Sequence, residues 1–473
     1  MPVGHILSCG VYLPRLRLPR EQIAAAMKWL GKVSATGERA ICNWDEDALT
    51  LGVQAALYCL ESAKDAPRSL HFASTTLPFA DRSNATLLAS ALDLSPEIQT
   101  ADVTGSLRAG TTALLEGARQ PIPRLVVAAD ARLAKPGSPQ ELEFGAGAAA
   151  MLVSNDANAD PVAAILAEAH LAADFVDHYR MQGEQFDYSL EERWIRDEAL
   201  SKQLPLAITR ALKSAGLRTA DVDHLVMSGS AANAKRIARL AGLERAKIQD
   251  NLRDVCGDTG AAHVLLLLSA ALETATPGQH ILALGFGQGV DAILVKVLRT
   301  SCSTVTAALA RRKTEPYYTR YLSHNGLLAV DFGMRAERDN RSAHSVAWRK
   351  NRQLTAFVGG ACRSCGTVQF PKSRVCVNPE CRVPDTQADY PLAQSTGRVK
   401  SFTEDWQAYS PRPPAIYGNV EFDGDGGGNL LMELTDVDAG EVGVGMRVGF
   451  AFRIKDVDAL RGFKRYFWKA VQV

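Results

Sequence analysis

Over about the first 300 positions, short runs of β-branched and apolar residues alternate with longer Ala- and Leu-rich stretches of helical period, which predicts an α/β architecture. The pattern occurs twice. In the first half, a strand over 69–75 leads to a helix over 83–92, a helix over 107–118 and a strand over 124–129. The Gly-rich stretch Phe144-Gly-Ala-Gly-Ala then runs into a strand over 149–153. In the second half, a strand over 224–228 leads to helices over 232–241 and 260–275 and a strand over 279–285. Phe286-Gly-Gln-Gly then runs into a strand over 292–297. Two units of matching order, each closed by a Gly-rich hairpin before a buried strand, predict a duplicated five-layer fold.

Beyond it the pattern changes. Residues 301–356 are polar, basic and aromatic with no strong period, and read as a connector carrying one or two helices. Strands over 397–403, 416–422, 430–434 and 446–454, separated by Gly, Pro and Asp turns, predict a small OB-fold barrel. The expected division is 1–160 and 161–300 for the two halves, 301–356 for the connector, 357–390 for a metal ribbon and 391–473 for the barrel.

The ribbon rests on spacing. Cys362-Arg-Ser-Cys365 is followed, after ten intervening residues, by Cys376-Val-Asn-Pro-Glu-Cys381. Two such knuckles, each placing two thiolates on one side of an ion, match tetrahedral zinc. A closed shell formed by Cys362, Cys365, Cys376 and Cys381 leaves no position for water, so this zinc is structural. Nine cysteines in all, five of them scattered, do not form a secreted disulfide framework.

Composition narrows the classes further. Lys+Arg 53 against Asp+Glu 52 leaves a net charge of +1, with no electrostatic footprint for nucleic acid or an anionic membrane. The longest apolar run, 264–272, is far short of the roughly 20 residues that span a bilayer. The first ten residues lack a charged segment followed by an apolar one. A cytoplasmic protein is expected.

Gly10-Val-Tyr-Leu-Pro14, Asn43-Trp-Asp-Glu-Asp47, Asp174-Phe-Val-Asp-His-Tyr-Arg180 and the two Gly-rich hairpins resemble the thiolase superfamily in its hydroxymethylglutaryl-CoA synthase-like branch, over residues 3 to about 298. From Phe357 onward the chain resembles the zinc-ribbon and OB-fold accessory protein that accompanies thiolase-like enzymes as a separate subunit. The resemblance implies a coenzyme A thioester substrate, a homodimer, and a possible partner thiolase. It also implies a Glu base, a Cys nucleophile at a helix N-terminus and a His on the thioester oxygen. Matched motif by motif, the Cys falls on Leu107 in Ser106-Leu-Arg-Ala-Gly-Thr111, the Glu on Thr75 in Ala73-Ser-Thr-Thr-Leu-Pro78, and the His on Ser228 in Val226-Met-Ser-Gly-Ser230. A leucine cannot form an acyl-enzyme, because covalent catalysis needs a deprotonatable heteroatom.

What remains is Cys256-Gly-Asp-Thr-Gly-Ala-Ala-His263, which resembles the Gly-Asn-Thr turn of related condensing enzymes. Asp258 is either a helix cap or a general base, His263 either a core histidine or an acid/base group, and Cys256 either a buried thiol or a substitute nucleophile. Ser106 is a cap or a nucleophile lacking an adjacent base. Charged and aromatic residues between Tyr179 and Arg196 suggest a pocket in which Tyr188 donates a proton and Arg193 and Arg196 hold CoA phosphates. Gly287 and Gly289 are further CoA-binding candidates. Asp45 and Glu46 precede an Ala-rich helix and read as caps. Arg447, Arg461, Lys464 and Arg465 are available for phosphates or simply solvated.

A CoA-thioester fold without its acyl-accepting Cys still suits stabilisation of a thioester enolate. The first expectation is therefore retro-aldol cleavage of a β-hydroxyacyl-CoA, or the reverse condensation. The alternatives are Claisen or thiolytic acyl transfer through another nucleophile, and a non-catalytic CoA-binding scaffold for a partner thiolase.

Overall fold

Ten strands form one continuous sheet in the first of two units of this computed structural model, which describes residues 2–31, 35–156, 160–301, 304–424 and 426–473. The first unit comprises Met1–Cys42, Asp47–Ala89 and Ser95–Leu327; the second comprises Asn43–Glu46, Ser90–Leu94 and Leu328–Val473. The boundary at 327/328 falls inside the expected connector. Cys302 lies outside the described residues.

The duplication is explicit in the strand order. The first half contributes β1 (Gly4–Tyr12), β2 (Ser69–Ala73), β3 (Gln99–Val103), β4 (Arg124–Ala131) and β5 (Ala146–Ser154). The second contributes β6 (Ala163–Ala172), β7 (His224–Met227), β8 (Lys247–Ile248), β9 (His280–Phe286) and β10 (Gly289–Val297). Within each half the strands lie side by side as third, second, fourth, fifth, first. In each, the second strand pairs parallel with the third and fourth, and the fifth pairs antiparallel with the fourth and first. β1 and β6 join the halves antiparallel, Ile6 opposite Ala163.

Helices complete the five layers. α1 (Ala48–Glu61) covers one outer face, where Gly52 lies against Phe72 and Val127. α2 (Ala109–Ala118) and, after α3 (Ser201–Ala215) and α4 (Ala231–Leu240), α5 (His263–Thr274) form the middle layer. Their buried Ala113, Leu114, Leu265 and Leu268 share one cluster with Val126, Met151, Ile281 and Ile293. Leu204 and Ile208 of α3 and Ile237 of α4 pack on the far face of the second half, against Leu282 and Leu294. α5 is apolar all round because protein surrounds it on every side, as the run over 264–272 required.

In the second unit, β11 (Val358–Cys362) pairs with β12 (Val368–Gln369) and β13 (Gln387–Pro391). A five-stranded sheet follows: β14 (Gly397–Asp405), β15 (Ala415–Phe422), β16 (Asn429–Glu433), β17 (Arg447–Asp458) and β18 (Phe463–Gln472), in the order β16-β15-β14-β17-β18. Phe357, Phe422, Phe450 and Trp468 pack ring to ring at its centre.

One expectation is corrected here. Asp45 and Glu46 do not cap α1; Asp47 does, accepting from the Thr50 N–H at 3.1 Å while Thr50 Oγ1 accepts from the Asp47 N–H. Asp45 and Glu46 instead belong to the second unit, where buried cations require them. Lys469 Nζ lies 3.0 Å from Asp45 Oδ2 and 4.0 Å from the Trp44 ring centre. Arg453 Nη2 reaches Glu46 at 3.1 Å and Asp436 at 3.0 Å. Thr435 Oγ1 donates to Asp45, and the Asp45 carbonyl accepts from the Ile454 N–H.

Burial pushes the Glu46 carboxyl up to about 7; Arg453 and the Asn43 N–H pull it back, while Asp436 and Asp45 add to the rise. Such a group binds its proton more tightly folded than unfolded. The stability it contributes therefore falls as pH rises from about 4.5 to about 7 and is level above. The unfolding temperature of the second unit should drop between pH 5 and 8, and Glu46→Gln should flatten that drop; calorimetry across this range checks it.

Candidate functional site

The site gathers where three loops meet the first turn of α2, and glycines permit the approach. A Cβ at Gly110 would stand 2.3 Å from the Ala261 carbonyl oxygen, one at Gly285 2.4 Å from Thr111 Oγ1, and one at Gly287 2.6 Å from Ser106 Oγ. The turn before α5, the Phe286–Gly289 hairpin and the 105–108 loop thus converge on one helix end. Ser106 Oγ donates to the Gly287 carbonyl at 2.8 Å and accepts from the Arg108 N–H at 3.2 Å. Arg108 Nε donates to the same carbonyl at 3.1 Å. Leu107 lies between them, half-buried.

Two buried carboxylates pin this arrangement. Asp130 accepts from Ser74 Oγ (2.9 Å), the Thr75 N–H (2.8 Å), Thr75 Oγ1 (3.0 Å), Thr76 Oγ1 (2.8 Å) and the Ala261 N–H (2.7 Å). It ties the end of β2 to the turn before α5. Asp291 accepts from Arg108 (3.0 Å), Thr111 (2.8 Å) and Thr112 (3.0 Å), and faces His170 Nδ1 at 2.8 Å. Sequence reasoning missed both. The signal was a lone Asp inside an apolar run, in Leu125 to Ala131 and in Val290 to Val297, because a buried carboxylate demands several donors.

Asp258 is held by its backbone: its N–H donates to the Glu143 carbonyl at 2.7 Å and its carbonyl accepts from the Gly145 N–H at 2.8 Å. Its Oδ1 accepts from the Gly260 N–H at 2.9 Å. Burial opposes its ionisation, but His263, Arg132, the Gly260 N–H and Arg253 together hold the carboxyl below its ordinary value. His263 begins α5 fully buried, with Nδ1 accepting from the Thr259 N–H at 3.2 Å. Burial lowers its pKa, and the Asp258 carboxylate partly offsets this.

Tyr188 pairs with Tyr179 in a short hairpin, its ring exposed and 5.4 Å from that of Tyr179. The neighbouring Asp187 is buried and anchors the hairpin to Arg132 (2.7 Å) and Arg180 (2.8 Å). Arg180 also donates to the Thr75 carbonyl, and Arg132 lies 3.7 Å over the Phe144 ring. The segment bearing Tyr188 is thereby tied to the residues around Asp130 and Asp258.

The remaining candidates are placed differently. Cys256 is fully buried with Sγ 3.3 Å from the Leu252 and Gly257 carbonyls, and burial pushes its thiol up to about 12. Arg196, half-buried, pairs with Asp197 at 3.0 Å, and Arg193, exposed, with the same carboxylate at 3.8 Å. Gly289, at φ +126°, abuts the Leu171 carbonyl, so it shapes the hairpin. Ser228 follows β7, half-buried. Arg461 and Arg465 pair with Asp458 and Asp456.

In the second unit, the thiols of Cys362, Cys365, Cys376 and Cys381 lie within 4.8 Å of one another. The Cys362–Cys381 and Cys365–Cys376 Sγ separations are 3.8 and 3.6 Å. Tetrahedral zinc with Zn–S bonds of about 2.3 Å puts its sulfurs about 3.8 Å apart, so the donors fit the ion. Zinc held by these four thiols would cross-link two turns of a small β unit, a structural role.

Comparison with known proteins follows the same division. Residues 212–297 match the family described as 3-oxoacyl-(acyl-carrier-protein (ACP)) synthase III C terminal. The fold is thiolase-like. The thiolase-like unit superimposes on 3-oxoacyl-(acyl carrier protein) synthase III, FabH, of Pseudomonas aeruginosa with a TM-score of 0.56 at 20% identity, covering 63% of this chain and 99% of that one. MvaS in complex with 3-hydroxy-3-methylglutaryl coenzyme A gives 0.57 at 18% identity, covering 70% and 94%. In sequence the chain is 29% identical over 296 residues to the hydroxymethylglutaryl-CoA synthase of Pyrococcus furiosus (60% of this chain, 83% of that protein). It is 26% identical over 340 residues to that of Thermococcus sibiricus (68% and 95%). Residues 356–387 match the ChsH2 rubredoxin-like zinc ribbon domain and 390–453 the ChsH2 C-terminal OB-fold domain. No helix among the described residues is long and apolar enough to cross a membrane.

Two measurements follow. Elemental analysis should find one zinc per chain, and Cys365→Ser, at an exposed position where loss of packing is small, should lose the ion and lower the unfolding temperature of the second unit. Under native conditions at pH 7.5, iodoacetamide should leave Cys256 unmodified, read by peptide mass spectrometry, because a buried thiol with a pKa of about 12 presents almost no thiolate.

Proposed function

We propose that the thiolase-like unit binds an acyl-CoA thioester and makes or breaks a carbon–carbon bond through its enolate, with no acyl group carried on the protein. The observation that carries this reading is the entry to α2. Leu107 stands there, Ser106 is committed to the Gly287 carbonyl with no base hydrogen-bonded to it among the described residues, and Cys256 is buried with its thiol pushed up to about 12. The hydroxymethylglutaryl-CoA synthase relatives support acyl-CoA chemistry of the condensing kind.

In the cleavage direction the substrate is a β-hydroxyacyl-CoA. A base takes the β-hydroxyl proton, the Cα–Cβ bond breaks, its electron pair enters the thioester as an enolate, and a proton returns to Cα. The products are an aldehyde or ketone and a shorter acyl-CoA; condensation reverses these steps. Asp258, held ionised at neutral pH, or His263 accepts the hydroxyl proton, and Tyr188 donates in return. Backbone N–H groups at the entry to α2 stabilise the enolate oxygen. Arg193 and Arg196 meet the CoA phosphates, a surface pairing with Asp197 being weak enough to yield to a phosphate. β3 has β2 as its one sheet neighbour among the described residues, an edge on which a second copy would pair to form a homodimer. The ribbon and barrel would seat a partner thiolase, and a cytoplasmic setting fits reduced ribbon thiols.

A second reading keeps acyl transfer, as in the condensing enzymes that the chain is similar to. The two separate in one experiment: purified protein with β-hydroxyacyl-CoAs, or with β-ketoacyl-CoAs and free CoA, products followed by mass spectrometry before and after iodoacetamide. Carbonyl release that survives alkylation is expected, with Asp258→Asn lowering kcat about 10²-fold or more. CoA-dependent cleavage abolished by alkylation would establish acyl transfer, and no turnover on a broad panel would leave a binding scaffold.

A further inference from the structure

The second unit carries a groove of about 700 Å³ between two short helices, α6 (His344–Arg349) and α7 (Asn351–Leu354), and the zinc ribbon. In a chain of net charge +1 its lining is unbalanced, with five cationic side chains against two carboxylates. Asp389 is shared by Arg352 (2.6 Å) and Lys372 (2.5 Å), and Arg374 takes Asp385 at 2.8 Å. Arg349 and Lys350, adjacent in the chain and both in the lining, have no acidic partner among the described residues.

Two more features share the groove. Trp348 is 81% exposed, its indole offered to solvent. Gln387 also lines the groove, with both amide atoms buried and neither hydrogen-bonded among the described residues. Its Oε1 sits over Gly360, where a Cβ would come within 2.6 Å, and the Lys372 stem passes over the same spot. A buried amide with neither donor nor acceptor met is costly. It marks a place where something else completes the bonds.

From this we infer that the groove binds an adenine nucleotide bearing at least two phosphates. Arg349 and Lys350 hold the phosphates, Trp348 stacks on the base, and Gln387 offers its donor and acceptor to the complementary pair on the adenine edge. Lys372 moves from Asp389 to a phosphate and uncovers that amide. Both the 3′-phosphoadenosine diphosphate end of coenzyme A and a free nucleotide such as ATP carry this chemistry. The site is built from residues of the second unit alone, and stands independently of the carbon–carbon bond reading.

The test is calorimetric titration of the full-length zinc-loaded protein with ATP, CoA, dephospho-CoA and inorganic pyrophosphate. Wild type should bind ATP or CoA, and the order of ATP, CoA and dephospho-CoA identifies which source fits. Trp348→Ala and the double variant Arg349→Glu/Lys350→Glu should each raise Kd at least tenfold. Gln387→Leu should raise Kd about tenfold while leaving the unfolding temperature unchanged or higher, which a purely structural amide would not do. Arg193→Glu/Arg196→Glu should leave ATP binding intact. Nucleotide binding unchanged in the groove variants, no nucleotide binding by wild type at millimolar concentration, or pyrophosphate binding as tightly as ATP would each overturn the assignment. Acyl-CoA turnover, measured separately, reports on the thiolase-like unit alone.

Discussion

A carboxylate sealed from water must be met by donors, and those of Asp130 are hydroxyl and amide groups. Among the described residues no cation is hydrogen-bonded to it; Ser74, Thr75, Thr76 and the Ala261 N–H share the charge. Those donors come from two distant stretches of chain. The end of a first-half strand is thereby locked to a second-half turn, and that turn carries Asp258 and begins the helix headed by His263. Asp291 does the corresponding work on the other side of α2, through Thr111, Thr112 and Arg108. Replacing either by an apolar residue would leave one buried hydroxyl, Ser74 or Thr111, without its carboxylate acceptor, a cost of about 1–3 kcal/mol for such a group. The site depends on these two charges before it depends on any group that touches substrate.

The second unit solves a different problem. Beside its aromatic core, the unit holds four thiols that fit zinc and a network of opposed buried charges. Such networks contribute little net stability beside apolar packing, but removing one member strands the rest. Arg453 and Lys469 therefore specify which carboxylates must be present more than they add to overall stability.

The architecture was legible where a local rule governed it. The twofold recurrence of strand, helix and Gly-rich hairpin predicted the layered duplication, and the spacing of Cys362, Cys365, Cys376 and Cys381 predicted the ribbon. The edge strand Gln99–Val103 went unpredicted because its alternation is weak and partly exposed, and Phe463–Gln472 because Lys464, Arg465 and Lys469 interrupt its apolar pattern. At the site, the turn around Asp258 was visible from its motif. The anchoring role of Asp187 was not, since one Asp within a charged stretch looks solvated until Arg132 and Arg180 are seen closing on it. Asp45 and Glu46 were misread for the same reason. Carboxylates before a helix suit its dipole by default, and their true partners lie about 400 residues away in sequence.

That long reach alters what fusion of the two parts means. The barrel unit is assembled from three separated stretches, with four residues near the start of the chain supplying the counter-ions for cations near its end. On a ribosome, those four residues emerge early and wait for nearly the whole remainder to be made before their partners exist. A fragment beginning at 328 would carry Arg453 and Lys469 into its interior without Asp45 and Glu46. The chain is thus not two transferable modules on a string. Its C-terminal part is completed by a clasp from the N-terminal part, and recombination that separated them would have to rebuild the clasp.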